Sequence, residues 1–400
     1  MNGLSGALAR RTRPAALVSI AVLASIAVLA CEDGGPAAVL PPGPTAGFQA
    51  LAIGFHHGCG IVAGEGTFCW GMNVAGELGD GTVRTSLNPV RVAGGIGLVA
   101  LSLGPGHSCG LAADGSAWCW GAGIRGALGT GDTADRAIPA PVAGGIEFRT
   151  ISAGGGFTCG IDTSGSGWCW GANGQGQLGD GTRTDRAVPT RIPGADGLAA
   201  IAAGGGHACA VETGGAARCW GGNGHGQLGD GTTEVRVSPV LVRGGGGFVG
   251  VAAGVSHTCA LRGDGSAWCW GENVVGQLGD GQPGPGPHIN RTEPVRALLP
   301  VALVQIDAGS GHTCGLGAQG GAYCWGWNVD GQIGDGVLGD RPIPAKVATP
   351  ERFVRITTGE ASSCGIRGDG RAWCWGRNED GELGDGAGVH HTFPAPVNQP

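Results

Sequence analysis

Fourteen of the fifteen cysteines fall into seven pairs, with the partners of each pair ten residues apart. The pairs are Cys59 and Cys69, Cys109 and Cys119, Cys159 and Cys169, Cys209 and Cys219, Cys259 and Cys269, Cys314 and Cys324, and Cys364 and Cys374. Thiols so placed can bond to each other, bind a metal, or stay reduced and buried. His57, His107, His207, His257 and His312 each stand two residues before the first cysteine of a pair, which invites zinc. Phe157 and Ser362 argue against it, because they replace the histidine in copies three and seven while both thiols stay. A zinc site needs about four ligands together. One disulfide per copy is therefore expected, with no metal and no cofactor. Reduced thiols remain the alternative if the chain is not exported.

Elements must hold each pair face to face. Successive copies lie 50 residues apart, save one step of 55, so one supersecondary unit is repeated. In the second copy, pairing Cys109 with Cys119 sets Ala112 against Ser116 and leaves 113–115 as a three-residue loop. Such loops favour a type I turn closed by a left-handed glycine. Gly115, Gly165, Gly215, Gly265, Gly320 and Gly370 hold that place; Glu65 departs, with Gly64 and Gly66 beside it. A further short strand around Pro-x-x-Val, as at Pro139 to Val142, makes four strands per unit. The last such ending, Pro394 to Val397, has no unit after it, and the first unit, from Phe48, has no such ending before it. Pairing of the two terminal strands is expected to close the ring, giving an all-β, seven-bladed propeller over residues 47–400.

Composition fits many short strands. There are 87 glycines without a collagen period, and the 42% apolar residues come in bursts between turn-forming clusters. Residues 1–30 carry Arg10, Arg11 and Arg13, no carboxylate, and an apolar run from Ala15 to Ala30 that is too short to span a bilayer. They describe a secretory signal. Val28-Leu29-Ala30-Cys31 resembles a bacterial lipobox, so Cys31 is expected to be lipidated, or else the chain is simply cleaved there. Residues 31–46, with Pro36, Pro41, Pro42 and Pro44, read as a tether. Three of the 24 basic residues lie in the first thirty, so 21 face 31 carboxylates beyond, a net of −10. No basic stripe is present, and nucleic acid is not expected as a partner.

Gly-x-x-His-x-Cys-x-Leu at Gly254–Leu261 is followed by Cys-Trp-Gly-x-Asn-x-x-Gly-Gln-Leu-Gly-Asp-Gly at Cys269–Gly281, and the second run recurs at Cys169–Gly181. These runs resemble the RCC1 repeat, named for the regulator of chromosome condensation, over roughly residues 47–400. The resemblance implies a seven-bladed propeller. The namesake is a nuclear exchange factor for a small GTPase that docks on chromatin, whereas this chain looks exported and acidic and shows no loop equivalent to an exchange wedge. A secreted bacterial propeller of this fold, which inhibits β-lactamases by binding over them, is a nearer analogy. Fold alone does not transfer a target.

Trp70, Trp120, Trp170, Trp220, Trp270, Trp325 and Trp375 follow the second cysteine of each pair and are expected to pack between blades. Arg136, Arg186, Arg236, Arg291 and Arg341 precede the closing strand and are expected to pair with carboxylates of the preceding loop. Irregular loop residues are the binding candidates: Pro283, Pro285, Pro287 and His288 in the five-residue insertion, with Trp327, His225 and His390. No catalytic constellation stands out from the repeat background. The expectation is a monomeric, non-enzymatic lipoprotein of the bacterial cell envelope, at the outer membrane or cell surface, binding a protein or glycan. An exported propeller hydrolase or lyase is the alternative, and a guanine-nucleotide exchange factor a more distant one.

Overall fold

A computed structural model of the chain describes residues 47–282 and 290–400. The signal segment, Cys31, the tether and the candidates Pro283, Pro285, Pro287 and His288 lie outside the described residues. Among the described residues, twenty-eight strands form seven four-stranded antiparallel sheets. Blade one runs through Phe48–Ile53, His57–Val62, Gly66–Gly71 and Ser86–Arg91; blade seven runs through Phe353–Thr358, Ser362–Arg367, Ala372–Gly376 and His391–Pro396. Blades two to six occupy 98–141, 148–191, 198–241, 248–296 and 303–346. Among the described residues no helix is long and apolar enough to cross a membrane.

The central hairpin forms as its turn chemistry predicts. Cys109 pairs in register with Cys119, and the equivalent pairing holds in all seven blades. Each pair is joined as a disulfide. Ala112 N donates to Ser116 O at 2.9 Å, and Gly115 closes the turn at φ +83°. In blade one, Gly64 and Gly66 take the positive angles around Glu65.

Ring closure differs from the expectation. Each sheet is built from four strands consecutive in sequence, so the first and last strands of the chain belong to different sheets and do not pair. The Pro-x-x-Val segment is the fourth strand of its own blade: in blade two, Arg136 pairs with Gly121 and Pro141 with Trp118. It is the outermost strand, bonded on one side only, which is why proline, lacking an N–H, is tolerated there. The ring closes instead by face-to-face packing. Phe48 N donates to Gly370 O at 2.8 Å, repeating the bond of Phe148 N to Gly115 O, also 2.8 Å, inside the ring.

Strand direction fixes two faces. The hairpin turns (63–65 and equivalents) and the links between blades lie on one, with Gly47 beside Gly370. The short loops between first and second strands and the long loops between third and fourth lie on the other. The first strands line a central channel of about 890 Å³.

Candidate functional site

The seams between blades answer what the repeated histidines do. His57 is fully buried and its Nε2 lies 2.8 Å from Ser108 Oγ on the next blade. His107 meets Thr158, His207 meets Thr258, His257 meets Thr313 and His312 meets Ser363, each at 2.9 Å. Each hydroxyl donates its one proton to a main-chain carbonyl, that of Glu77, Ala127, Gln227, Gln277 or Gln332. It must therefore accept from a protonated Nε2, which fixes the neutral tautomer. Burial pushes these imidazoles down, to about 3 for His57 and His257 and about 4 for His107, His207 and His312.

The seven tryptophans are fully buried in the same seams, as their spacing predicts. Trp120 Nε1 donates to Glu77 O at 2.8 Å, and Trp70 closes the ring by donating to Glu382 O at 2.9 Å. Copies three and seven, which lack the histidine, also lack the hydroxyl across the seam: Phe157 faces a blade carrying Ala208, and Ser362 one carrying Gly58. The two positions change together.

On the loop face each long loop is tied by a buried asparagine. Asn173 Nδ2 reaches Asp180, Thr182 and Thr184, and its Oδ1 accepts from Leu178 N. Asn73, Asn223, Asn273, Asn328 and Asn378 repeat it, while Gly123 stands in blade two. The rim arginines are paired as expected: Arg186 with Asp180 at 2.9 Å, Arg236 with Asp230 and Arg291 with Asp280 at 2.8 Å, and Arg341 with Asp335 at 2.6 Å. Arg136 takes Asp132 at 2.6 Å, since Thr130 replaces the usual aspartate, and His391 takes Asp385 at 2.7 Å.

The remaining candidates lie on this face, half-buried for the most part. His225 Nδ1 is 3.2 Å from Asn290 Nδ2 in the seam between blades four and five. His390 lies 3.3 Å from Asp330 and 3.8 Å from Glu379 between blades six and seven. Trp327 follows the third strand of blade six. His225 and His390 thus serve different seams, and the three are not gathered into one pocket.

The channel wall is mainly Ala, Val, Ile and Leu, with Arg149, Arg355 and Asp307 as its ionisable groups. Burial pushes Asp307 up to about 6. Its oxygens accept from Ala308 N at 3.0 Å and Thr358 N at 2.9 Å, bridging to the next blade. Ser102 and Ser152 make the same bridge to Ala153 and Ala203. Asp307 is a variant of a repeated structural position.

Sequence reasoning missed one cluster. His56, Asp380 and Glu382 place ligand-capable atoms within 4.8 Å of one another where blade seven meets blade one. His56 Nδ1 is 3.1 Å from Asp380 Oδ2, and Nε2 is 3.4 Å from Glu360 Oε2. Arg377 reaches Glu379 at 2.6 Å and Glu360 at 3.5 Å. Glu382 is completely buried, and burial pushes its carboxyl up to about 7. The signal was present: the other blades hold Gly106, Gly156, Gly206, Ser256, Gly311 and Ala361 where blade one has His56.

Comparison with curated proteins finds no match to this sequence. Solved structures share the architecture. Yeast RCC1 (Prp20), in a structure with Kap60, superposes at a TM-score of 0.74 with 22% identity over 88% of this chain and 85% of its own. Human WBSCR16 gives 0.74 with 20% identity over 83% and 94%. The ectodomain of the Physcomitrella patens receptor kinase CR4 gives 0.53 with 20% identity over 83% and 74%. The regulator of chromosome condensation (RCC1) repeat matches residues 114–161 and, in a second form, 98–126. The RCC1-like domain matches residues 151–400, well over half of the chain, and the protein belongs to that family.

Proposed function

We propose that this chain is a non-enzymatic, exported, lipid-anchored propeller that binds a protein or glycan through its loop face. The observation that carries this is the position of chain entry: Gly47 lies beside Gly370 on the hairpin face. An anchor at Cys31 would therefore join that face and leave the long loops, with His225, Trp327 and His390, pointing away from the membrane. Seven disulfides in the described fold favour an oxidising compartment. Relatives of the fold supply precedent for binding: the yeast RCC1 structure is a complex with Kap60, and CR4 contributes a receptor ectodomain. Long loops on a rigid scaffold are the usual carriers of recognition.

Intact-mass analysis of native envelope material tests compartment and anchor together: lipid on Cys31 and fourteen missing hydrogens are expected. Recovery in the cytosol with reduced thiols would overturn the proposal. Crosslinking in envelope extracts tests the binding face, and W327A and H225A are expected to weaken capture of a partner. Partners crosslinked only through the hairpin turns would move the site to the other face.

A further inference from the structure

We propose that His56, Asp380 and Glu382 bind one divalent transition-metal ion of the zinc type, clasping blade seven to blade one. The polypeptide itself crosses six of the seven seams, and this is the seventh, held only by non-covalent contacts. Two departures from the repeat meet here. His56 replaces the small residue of the other blades, and Glu382 replaces the glutamine at Gln177, Gln227, Gln277 and Gln332, with Asp380, which matches Asp330 of blade six, beside them.

The glutamine-to-glutamate change is the telling one. In regular blades the glutamine Oε1 accepts from the main chain two residues back, as Gln177 does from Gln175 N. Gln227, Gln277 and Gln332 do the same. Glu382 Oε2 keeps that bond, accepting from Asp380 N at 2.9 Å. Its Oε1 therefore replaces an amide donor with a carboxylate acceptor, and it is buried without a hydrogen bond. The nearest cation, Arg377 Nε, stands off at 3.6 Å and is likewise without a hydrogen bond. His56 Nδ1 also makes no hydrogen bond, although it lies within 3.1 Å of Asp380. Leaving a buried carboxylate oxygen unsatisfied is costly unless something else meets it.

Charge points the same way. Glu360, Glu379, Asp380 and Glu382 surround a single arginine, so acidic groups outnumber the fixed cation by three. One imidazole and two carboxylates suit zinc, with water completing the coordination. Calcium would require six to eight oxygen ligands. His56 and Asp380 are each about a quarter to a third exposed, which leaves an entry path.

Blade one supplies an internal control. Glu77 also occupies the glutamine position, but the next blade offers Gly106 there and, among the described residues, no metal-ligating cluster forms around it. The test is titration of the chelator-stripped full-length protein with zinc by calorimetry, alongside cobalt(II) absorption as a report on imidazole ligation. One equivalent is expected, together with a rise in Tm on metal addition. H56G and E382Q install residues that other seams already carry, and each is expected to weaken binding at least about tenfold. E77Q should bind as wild type does. Absence of a one-equivalent site, or H56G and E382Q binding zinc as tightly as the parent, would overturn the proposal. Neither outcome bears on the lipid anchor or on partner capture.

Discussion

Five seams of the wheel carry the repeated histidine and two do not, and the contrast shows what that histidine is for. Where His107 is present, Thr158 faces it and donates a hydrogen bond to Ala127 O. Where Phe157 takes its place, Ala208 stands opposite, and both are fully buried. The polar pair and the apolar pair fill the same site, but a mixed pair would leave a buried donor unmet. The seam between blades seven and one is a third solution. There Gly58 leaves room for Ile53 and the Trp70 ring, whose atoms lie within 2.8 Å of where a Cβ would stand.

Acid should separate the two kinds of seam most strongly. His107, His207 and His312 titrate near 4 in the fold and His257 near 3, against 6.5 when unfolded. The unfolded chain therefore takes up more protons between pH 6.5 and about 4, and stability falls as pH falls through that window. The slope is about 1.4 kcal/mol per histidine per pH unit once well below 6.5. Thermal unfolding against pH should be steep there, and converting seams to the Phe–Ala pair should flatten it. A flat Tm from pH 7 to 4 would mean the imidazoles are not held neutral.

One-sided edits come next. Thr258→Val strands the buried His207 Nε2–H and should cost about 1–3 kcal/mol by denaturant unfolding. Adding His207→Phe should recover most of that loss, because it replaces the polar pair by an apolar one, as Phe157 and Ala208 do between blades three and four. Additivity of the two changes would break the pairing account.

The closing seam can be set against an internal one with glycine. Gly384 has φ +69°, and a Cβ there would come within 2.8 Å of the Trp70 ring; Gly129 has the same φ and stands as close to Trp170. Gly384→Ala and Gly129→Ala should each destabilise by roughly 1–3 kcal/mol. A much smaller loss at Gly384 would show the terminal seam to be softer. The smallest effect should be Arg243→Ala, about 0–1 kcal/mol by unfolding, since its pair with Glu293 is exposed on both sides.

Much of this architecture was legible in the sequence because the repeat states it seven times. The ten-residue cysteine spacing and the glycine four residues before six of the seven Cys-Trp-Gly runs determine a hairpin, and the structure forms it. The phase of the blade was harder. The proline-bearing segment looked like a strand awaiting a neighbour, because sequence cannot tell whether an edge strand ends one sheet or opens the next. The repeated histidines bond to hydroxyls 51 or 56 residues away, partners that show only once blades are stacked. His56 was overlooked beside the repeated His57, since its meaning depends on residues more than 300 positions later.

Because every blade is complete before the next begins, chain entry and exit are ordinary places on the wheel. Phe48 and Val397 both reach the hairpin face, where 92–97 make the link from blade one to blade two. A linker of that length from Val397 to Phe48, with a cut at 144–145, should yield a circular permutant with all seven sheets intact. The present order of blades would then be one of seven equivalent ways to thread the same ring.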